Sequence, residues 1–236
     1  HHTPGFGKGR DNHWRSFGID QLDLELLEVR SLQLEDGSYR LHVHQLAASR
    51  DRQTEFELKW TYRFFADGTV RVGLTVLPHG KMPDWLPRVG MQLQLPVHCD
   101  RLTWYGRGPF ENYPDRKSGA RMGIHTSTAD DEYVSYLMPQ DYGNKCDVHW
   151  LTLLDEKGRG WRITGDVPYN FSLHRYTPEN LERAMYPFQL LKSEYLTLHL
   201  DHKVSGVGDT SRSTLQQYRV HPGVYSFAFS MTPVVE

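Results

Sequence analysis

The chain has 236 residues, and 27 lysines and arginines against 29 aspartates and glutamates give a formal net charge of −2. This length suits one large domain or two small ones, with enough buried surface to need no disulfide or metal. The balanced charge gives no electrostatic reason to bind nucleic acid or an anionic membrane. No apolar run approaches the roughly 18 residues of a transmembrane helix, and no signal segment opens the chain. We therefore expect neither partner, and the abrupt start is typical of a piece cut from a longer protein.

The dominant sequence pattern is an alternation of apolar and polar residues with a period of two. Such alternation predicts strands with one buried face and one wet face, which is the signature of antiparallel sheet. The cleanest run places five apolar residues between Phe56 and Phe64 against charged and polar ones. Similar runs contain Leu22 and Leu24; Tyr39, Leu41 and Val43; Val70, Val72, Leu74 and Val76; Met91, Leu93, Leu95 and Val97; and Leu196, Leu198 and Leu200.

Turn residues lie where the strands need them. Asp36-Gly37 and Asp67-Gly68 each separate two alternating runs, which predicts tight type I′ hairpins with both residues at positive φ. The segment 156–160 predicts a third hairpin.

Helix signals occur once. Thr177 is a candidate N-cap, Pro178 suits the first helical position, and Pro187 ends the segment, so we predict one short helix over 179–185. The whole chain, residues 1–236, is therefore predicted to be a single all-β antiparallel sandwich with one short helix and about 14 or more strands.

Common cofactor and metal signatures are missing from the sequence. It contains no glycine-rich nucleotide motif, no zinc-protease motif and no paired cysteines, so we predict no metal site in this chain. His42 and His44 share a strand face but have no third ligand in view. Cys99 and Cys146 are expected to be free, packed thiols. Carboxylates are abundant, but sequence spacing alone cannot identify a glycosidase pair.

Three segments carry most of the chain's unusual chemistry: 104–116, 136–147 and 200–212. Each combines aromatic, glycine and charged residues in a loop that leaves a strand, and loops on a rigid sheet are where function concentrates. We expect Glu111 to Arg116 to be structural, with Glu111 fastening its loop. The tip after Leu200 is polar and glycine-rich, as the wall of a pocket would be.

These segments resemble the C-terminal domain, or small chain, of the large bacterial β-galactosidases of glycoside hydrolase family 2. The family pattern G-x-G-P-x-E-N-Y-P-D-R is matched from Gly106 to Arg116. A second pattern, Y-V-x-P-Q-E-x-G-N-x-x-D-V-R-W, is echoed between Tyr133 and Trp150, with Asp141 replacing the usual Glu and His149 the usual Arg. A third is echoed at Tyr169-Asn170-Phe171-Ser172 and Tyr176.

The resemblance implies a galactose-mutarotase-like supersandwich that serves a larger enzyme hydrolysing terminal β-D-galactosides with retention. In that family the catalytic glutamates, and the magnesium and sodium ligands, belong to a separate barrel domain. The resemblance therefore implies no catalytic residue and no cofactor in this chain, and an isolated chain without activity. Its implied partners are the remaining domains or a large subunit, which would dock on an exposed apolar patch, together with the galactoside and further copies of the enzyme. The compartment, cytoplasm or periplasm, stays open.

The resemblance also places a substrate-contacting loop at 206–212. The family has a tryptophan after this glycine-rich turn, whereas Arg212 stands there in this chain. A guanidinium can lie flat on a sugar ring and donate forked hydrogen bonds. Asp209, Ser211 and Arg212 are accordingly the predicted substrate-binding residues.

Two alternatives stay open at this stage. A free-standing carbohydrate-binding module would present a row of exposed aromatics, with Tyr105, Phe110, Tyr113 and Tyr142 as candidates. An aldose 1-epimerase would need a histidine facing a glutamate across a concave sheet, for which His174 or His199 with Glu194 are the candidates.

Overall fold

The computed structural model describes residues 10–208 and 213–235 and shows an antiparallel β-protein with two short helices. Two 3₁₀ turns lie at Pro187–Gln189 and Gln216–Tyr218. No helix within these two ranges is both long and apolar enough to cross a bilayer. The elements in chain order are α1 Arg10–Ser16, β1 Asp23–Gln33, β2 Tyr39–Ala48, β3 Thr54–Phe64, β4 Val70–Gly80, β5 Arg88–Pro96, β6 Arg101–Gly108, β7 Arg121–Thr128, β8 Lys145–Leu154, β9 Gly160–His174, α2 Pro178–Arg183, β10 Tyr195–Val204 and β11 Tyr225–Val234.

All strands belong to one branched sheet. Its main path runs β1-β2-β3-β4-β11-β9-β8-β6-β7, and a branch leads from β9 through β10 to β5. Strand β9 is the junction because its first half pairs with β11 and its second half pairs with β10. One buried core joins the branch to the main path, since Leu196, Leu198 and Leu200 of β10 belong to the same apolar cluster as Phe56 and Leu74.

The predicted all-β antiparallel class is confirmed, but the strand count was wrong. The described residues form eleven strands because several are long, up to 15 residues in β9, whereas segments such as 129–144 are largely irregular. The predicted helix is α2, where the Thr177 hydroxyl accepts a hydrogen bond from the Asn180 amide. A second helix, α1, was missed. Cys99 and Cys146 are both free and buried, as expected.

The hairpins form where they were predicted, but their turn type differs. Gly37 and Gly68 have φ of +80° and +83°, whereas the aspartates before them are not among the residues at positive φ. In each turn the glycine amide donates to a carbonyl three residues back, and the aspartate side chain accepts from the amide two residues ahead. A three-residue loop needs a left-handed conformation only at its last position, so the type I′ prediction was wrong. The turn at Gly158 has the same pattern.

Strands β1, β2 and β3 form a wing whose apolar face packs on the core at Leu58 and Trp60 and is largely exposed towards β1. Register places Val29, Val43 and Trp60 side by side on this face, with Tyr62 and Phe64 continuing it along β3. Every residue of β1 is exposed, and Leu26 keeps 58% of its surface accessible. The rings of Trp60, Tyr62 and Phe64 stack in a ladder. The expected exposed apolar patch is therefore present, and we call it the apolar wing face.

Candidate functional site

The predicted substrate-binding residues Asp209, Ser211 and Arg212 lie outside the described residues. Their immediate neighbours are described, however. Gly206, Val207 and Gly208 precede them, and Ser213 and Thr214 follow. The site is therefore built from what holds these flanks in place.

The segment before the predicted loop is fastened by the Gly106–Arg116 motif. The Asp115 carboxylate accepts hydrogen bonds from the amides of Val207, at 3.1 Å, and Gly208, at 2.6 Å. The Arg116 guanidinium donates to the Gly208 carbonyl oxygen at 2.7 Å. A Cβ on Gly206 would approach Asp115 Cγ to 2.6 Å, so this contact requires glycine. Asp115 and Arg116 thus grip the backbone that leads into the predicted loop.

The other flank is tied to the same backbone. The Thr214 hydroxyl is buried and donates to the Gly206 carbonyl oxygen at 2.8 Å, and the Gly206 amide donates to the Tyr218 carbonyl oxygen. Gly208 has φ of +64°, a conformation that favours glycine. Both ends of the segment 209–212 therefore have hydrogen-bonded anchors close together.

Glu111 and Asn112 join the first dense loop to the second. Glu111 Oε2 accepts from the Gly143 amide at 2.9 Å, and its other oxygen accepts from the Tyr136 hydroxyl. The fully buried Asn112 accepts from the Cys146 amide at 2.9 Å. These bonds agree with the expectation that Glu111 fastens its loop. Its partners were not predicted because they lie about thirty residues downstream.

A buried ion pair completes this junction. Lys145 and Glu132 keep only 1% and 4% of their side-chain surface exposed, and the Lys145 ammonium donates to Glu132 and to the Gly143 carbonyl oxygen. The ammonium also lies 5.4 Å from the centre of the Trp104 ring. The sequence contained no signal for this pair, since its two members lie in different segments.

Beside residues 206–208 lies a cluster of charged and ionisable groups from four parts of the chain. Arg88, at the start of β5, forms ion pairs with Asp141 and, at 3.5 Å, with Asp201 of β10. His174, at the end of β9, donates through Nε2 to the Tyr142 carbonyl oxygen at 2.8 Å, because a carbonyl can only accept. The His174 and His199 rings are 5.6 Å apart.

Burial sets the protonation of this cluster. It lowers the pKa of His199 to about 3, with the Arg88 charge acting in the same direction, and it lowers the pKa of His174. It also raises the pKa of Asp201 to about 6 against the opposing effect of Arg88. Both imidazoles are consequently neutral at pH 7. Burial raises the pKa of Asp141, but the charge and hydrogen bond of Arg88, together with the two nearby histidines, lower it further, so Asp141 is ionised.

The two alternative functions fit this arrangement less well. Tyr113 and Tyr142 are buried, at 4% and 1% exposure, so the predicted row of exposed aromatics was wrong and only Tyr105 and Phe110 reach the surface. The Tyr142 ring packs against the rings of Tyr133 and His174 instead. Glu194 is exposed and is not among the residues lining the cavity beside His174 and His199, so the proposed epimerase pair does not form.

Comparison with known proteins decides the family. The family model described as "Beta galactosidase small chain" matches residues 6–231. The chain belongs to the β-galactosidase small-chain family. The β-galactosidase of Priestia megaterium (strain DSM 319 / IMG 1521) is 35% identical over 168 residues, which cover 71% of this chain and 16% of that protein. The β-galactosidase of Vibrio cholerae serotype O1 (strain ATCC 39541 / Classical Ogawa 395 / O395) is 32% identical over 199 residues, covering 83% and 18%.

This small-chain domain thus spans less than a fifth of the length of those curated relatives. Among solved structures, a GalM/aldose epimerase homologue from C. elegans is similar with a TM-score of 0.43 and 11% identity, over 88% of this chain and 69% of that one. An α-galactosidase from Lactobacillus brevis is similar with a TM-score of 0.42 and 8% identity, over 90% and 27%. These likenesses concern the fold.

Proposed function

We propose that this small-chain domain serves a β-galactosidase that cleaves terminal β-D-galactosides with retention, and that it forms a wall of the galactoside pocket. The observation that carries the proposal is that Asp115 and Arg116 hold Val207 and Gly208, while Thr214 is tied to the Gly206 carbonyl oxygen, so that the residues on both sides of 209–212 are held. A loop whose flanks are fixed in this way can present Asp209, Ser211 and Arg212 to a substrate without a large ordering cost on binding.

The catalytic carboxylates are proposed to come from the rest of the enzyme. A retaining glycosidase needs two carboxyl groups about 5–5.5 Å apart with a sugar between them. In this chain, converging carboxylates enclose an arginine instead: Asp141 and Asp201 face Arg88, and Asp100 and Asp130 face Arg175. This arrangement supports an isolated chain that hydrolyses nothing. Any magnesium or sodium ion of the enzyme is likewise proposed to be held by the catalytic barrel.

The apolar wing face is proposed to dock on the remaining domains or large subunit of the enzyme. Leu26 and Val29 leave more than half of their surface exposed, and water contact with apolar area of this kind is unfavourable by about 25 cal/mol per Å². The relatives are several times longer than this chain, so most of each polypeptide is available to cover the face. We include assembly into homo-oligomers in the proposal.

The test of the loop is a substitution of Arg212 in the whole enzyme. Arg212→Ala is expected to reduce kcat/KM for a nitrophenyl β-galactoside at least about tenfold, the effect of one lost charged contact. Arg101→Ala is the matched control, because Arg101 is an exposed arginine of β6 whose ion pair with Glu156 is 3.8 Å long. Equal activity of the two variants would remove Arg212 from the pocket. Hydrolysis of the same substrate by the isolated chain would overturn the proposal that the catalytic carboxylates come from the rest of the enzyme.

A further inference from the structure

One face of the branch β5-β10-β9 is polar although it is buried. The alternation that sends Leu196, Leu198 and Leu200 into the core sends Thr197, His199 and Asp201 to the opposite face, and these three are 0%, 8% and 1% exposed. The neighbouring strands continue the face. Register pairs Gln92 and Ser172 with His199, and His174 with Thr197.

This polar face carries hydrogen-bonding atoms that have no partner among the described residues. They are Thr197 Oγ1, Ser172 Oγ and His174 Nδ1, all buried, while Asp201 Oδ2 has no hydrogen bond but forms the 3.5 Å ion pair with Arg88. Buried polar atoms are almost always hydrogen-bonded, and leaving one unsatisfied costs about 1–3 kcal/mol. Because His174 Nε2 donates to the Tyr142 carbonyl oxygen, His174 Nδ1 is an acceptor that requires a donor. Of the residues that carry these atoms, His174 also lines the cavity beside this face, so His174 Nδ1 is the buried acceptor that a ligand in the cavity would satisfy.

A cavity of about 420 Å³ opens beside this face. Its polar lining includes Arg88, Gln92, Asp141, His174 and His199. Its apolar wall includes Trp14 and Trp85, whose rings meet edge to face at 4.6 Å. The volume lies within the range of about 300–1,000 Å³ that is typical of small-molecule sites.

The charges in the cavity favour an uncharged ligand. Arg88 is paired with Asp141 and Asp201, Arg15 is paired with Glu182, and both histidines are neutral at pH 7. The carboxylate of Asp20 also lines the cavity, so an anion would meet repulsion there without an unpaired arginine among Arg88 and Arg15 to offset it. Guanidinium and amide donors stand beside carboxylate and imidazole acceptors. A hydroxyl group satisfies both kinds because it donates and accepts. A compact ligand with many hydroxyls and an apolar ring face matches this lining.

We propose that this cavity binds a neutral monosaccharide, with D-galactose as the probe. Hydroxyls of the sugar would pair with Arg88, Asp141 and His199, while an apolar face of its ring would lie against the tryptophan wall. The residues that carry this proposal all belong to the described chain, so it goes beyond the pocket role of Arg212 and does not depend on it.

The experiment is a crystal structure of the whole enzyme soaked in about 100 mM D-galactose, accompanied by calorimetric titration with the same sugar. His199→Phe fills the polar side of the cavity with a ring of similar shape. His202→Phe is the matched control, since His202 lies on the same strand, lines a different cavity and already stacks on Phe227. Gln92→Ala changes an exposed side chain and cannot unfold the domain.

We expect galactose in the cavity of the unaltered enzyme and of His202→Phe, none in His199→Phe, and roughly fivefold to tenfold weaker binding in Gln92→Ala. Galacturonate, the anionic analogue, should bind more weakly than galactose. A cavity that holds only water overturns the proposal, and so does sugar that binds at soaking concentration without a titration signal. Because the readout is occupancy of this cavity, failure here leaves the Arg212 result unaffected, and the reverse also holds.

Discussion

Removing the Asp115 carboxylate should release the backbone that leads into the predicted substrate loop. Asp115→Ala deletes the acceptor for the Val207 and Gly208 amides. A hydrogen bond to a charged group contributes about 1.5–3 kcal/mol, and Asp115 is only half-buried, so we take about 1.5–3 kcal/mol for both bonds together. At about 1.4 kcal/mol for each factor of ten, local opening becomes roughly 10-fold to 150-fold more frequent.

Amide hydrogen exchange measures this opening directly. We expect Val207 and Gly208 in Asp115→Ala to exchange faster by that factor, while amides of the core strand β10 keep their protection. Asp67→Ala is the control, because Asp67 accepts from the Thr69 amide at 2.8 Å in a distant hairpin turn. This substitution should leave the exchange rates of the Val207 and Gly208 amides unchanged. Exchange within about twofold of the unaltered protein would refute the reasoning and leave Arg116 and Thr214 as sufficient anchors.

Three further outcomes are expected. Lys145→Met should destabilise the domain by about 3–5 kcal/mol in urea unfolding because it leaves Glu132 charged and buried. Adding Glu132→Leu should recover most of this loss. If the losses of the two single variants simply add in the double variant, the two side chains do not stabilise the domain as a pair. The folded-state pKa values of His174 and His199 lie below the unfolded value of 6.5, that of His199 at about 3, so their stabilisation is complete above pH 6.5 and is lost as pH falls towards 3. The raised pKa of Asp201, about 6, opposes only part of this loss. The urea concentration at the unfolding midpoint should therefore fall between pH 7 and pH 4.5, and it should fall less in His199→Phe. An equal fall in the unaltered protein and in His199→Phe would exclude His199 as a cause. Leu26→Glu should lower the melting temperature of the whole enzyme while changing the isolated chain by less than about 0.5 kcal/mol, as calorimetry of both would show; equal effects would remove the apolar wing face from the interface.

The sequence was informative wherever a structural rule acts over a few residues. Alternation predicted β3 and its apolar face, although only Phe56 of that face is fully buried, and the Thr177 cap predicted α2, because both depend on neighbours within one strand or one helical turn. The type I′ turns were wrong because Asp-Gly also suits the last two positions of a three-residue loop. Composition of the dipeptide cannot choose between these two turn lengths.

The loop anchors could be predicted only in part. The Gly106–Arg116 motif predicted that Glu111 fastens its loop, and Glu111 does bind the second dense loop. The role of Asp115 was not predicted, because its acceptor atoms meet amides 92 and 93 residues further along the chain. Antiparallel pairing across a branched sheet creates such contacts, and no local pattern encodes which strands become neighbours.

The polar cavity could not be predicted for the same reason, since it is formed by segments that are distant in the sequence. Alternation in β10 predicts two faces, but it cannot tell whether the second face meets water or a cover. In this chain the region beside that face also holds α1 and α2, which contact each other through the Arg15–Glu182 ion pair across 167 residues of sequence, while the Trp14 indole donates to the Trp85 carbonyl oxygen across 71. Burying Thr197, His199 and Asp201 without apolar replacements costs free energy unless their polar atoms find partners. Arg88 supplies a partner for Asp201, whereas His174 Nδ1 and the His199 ring border the open cavity, which is why we propose a bound polar molecule there.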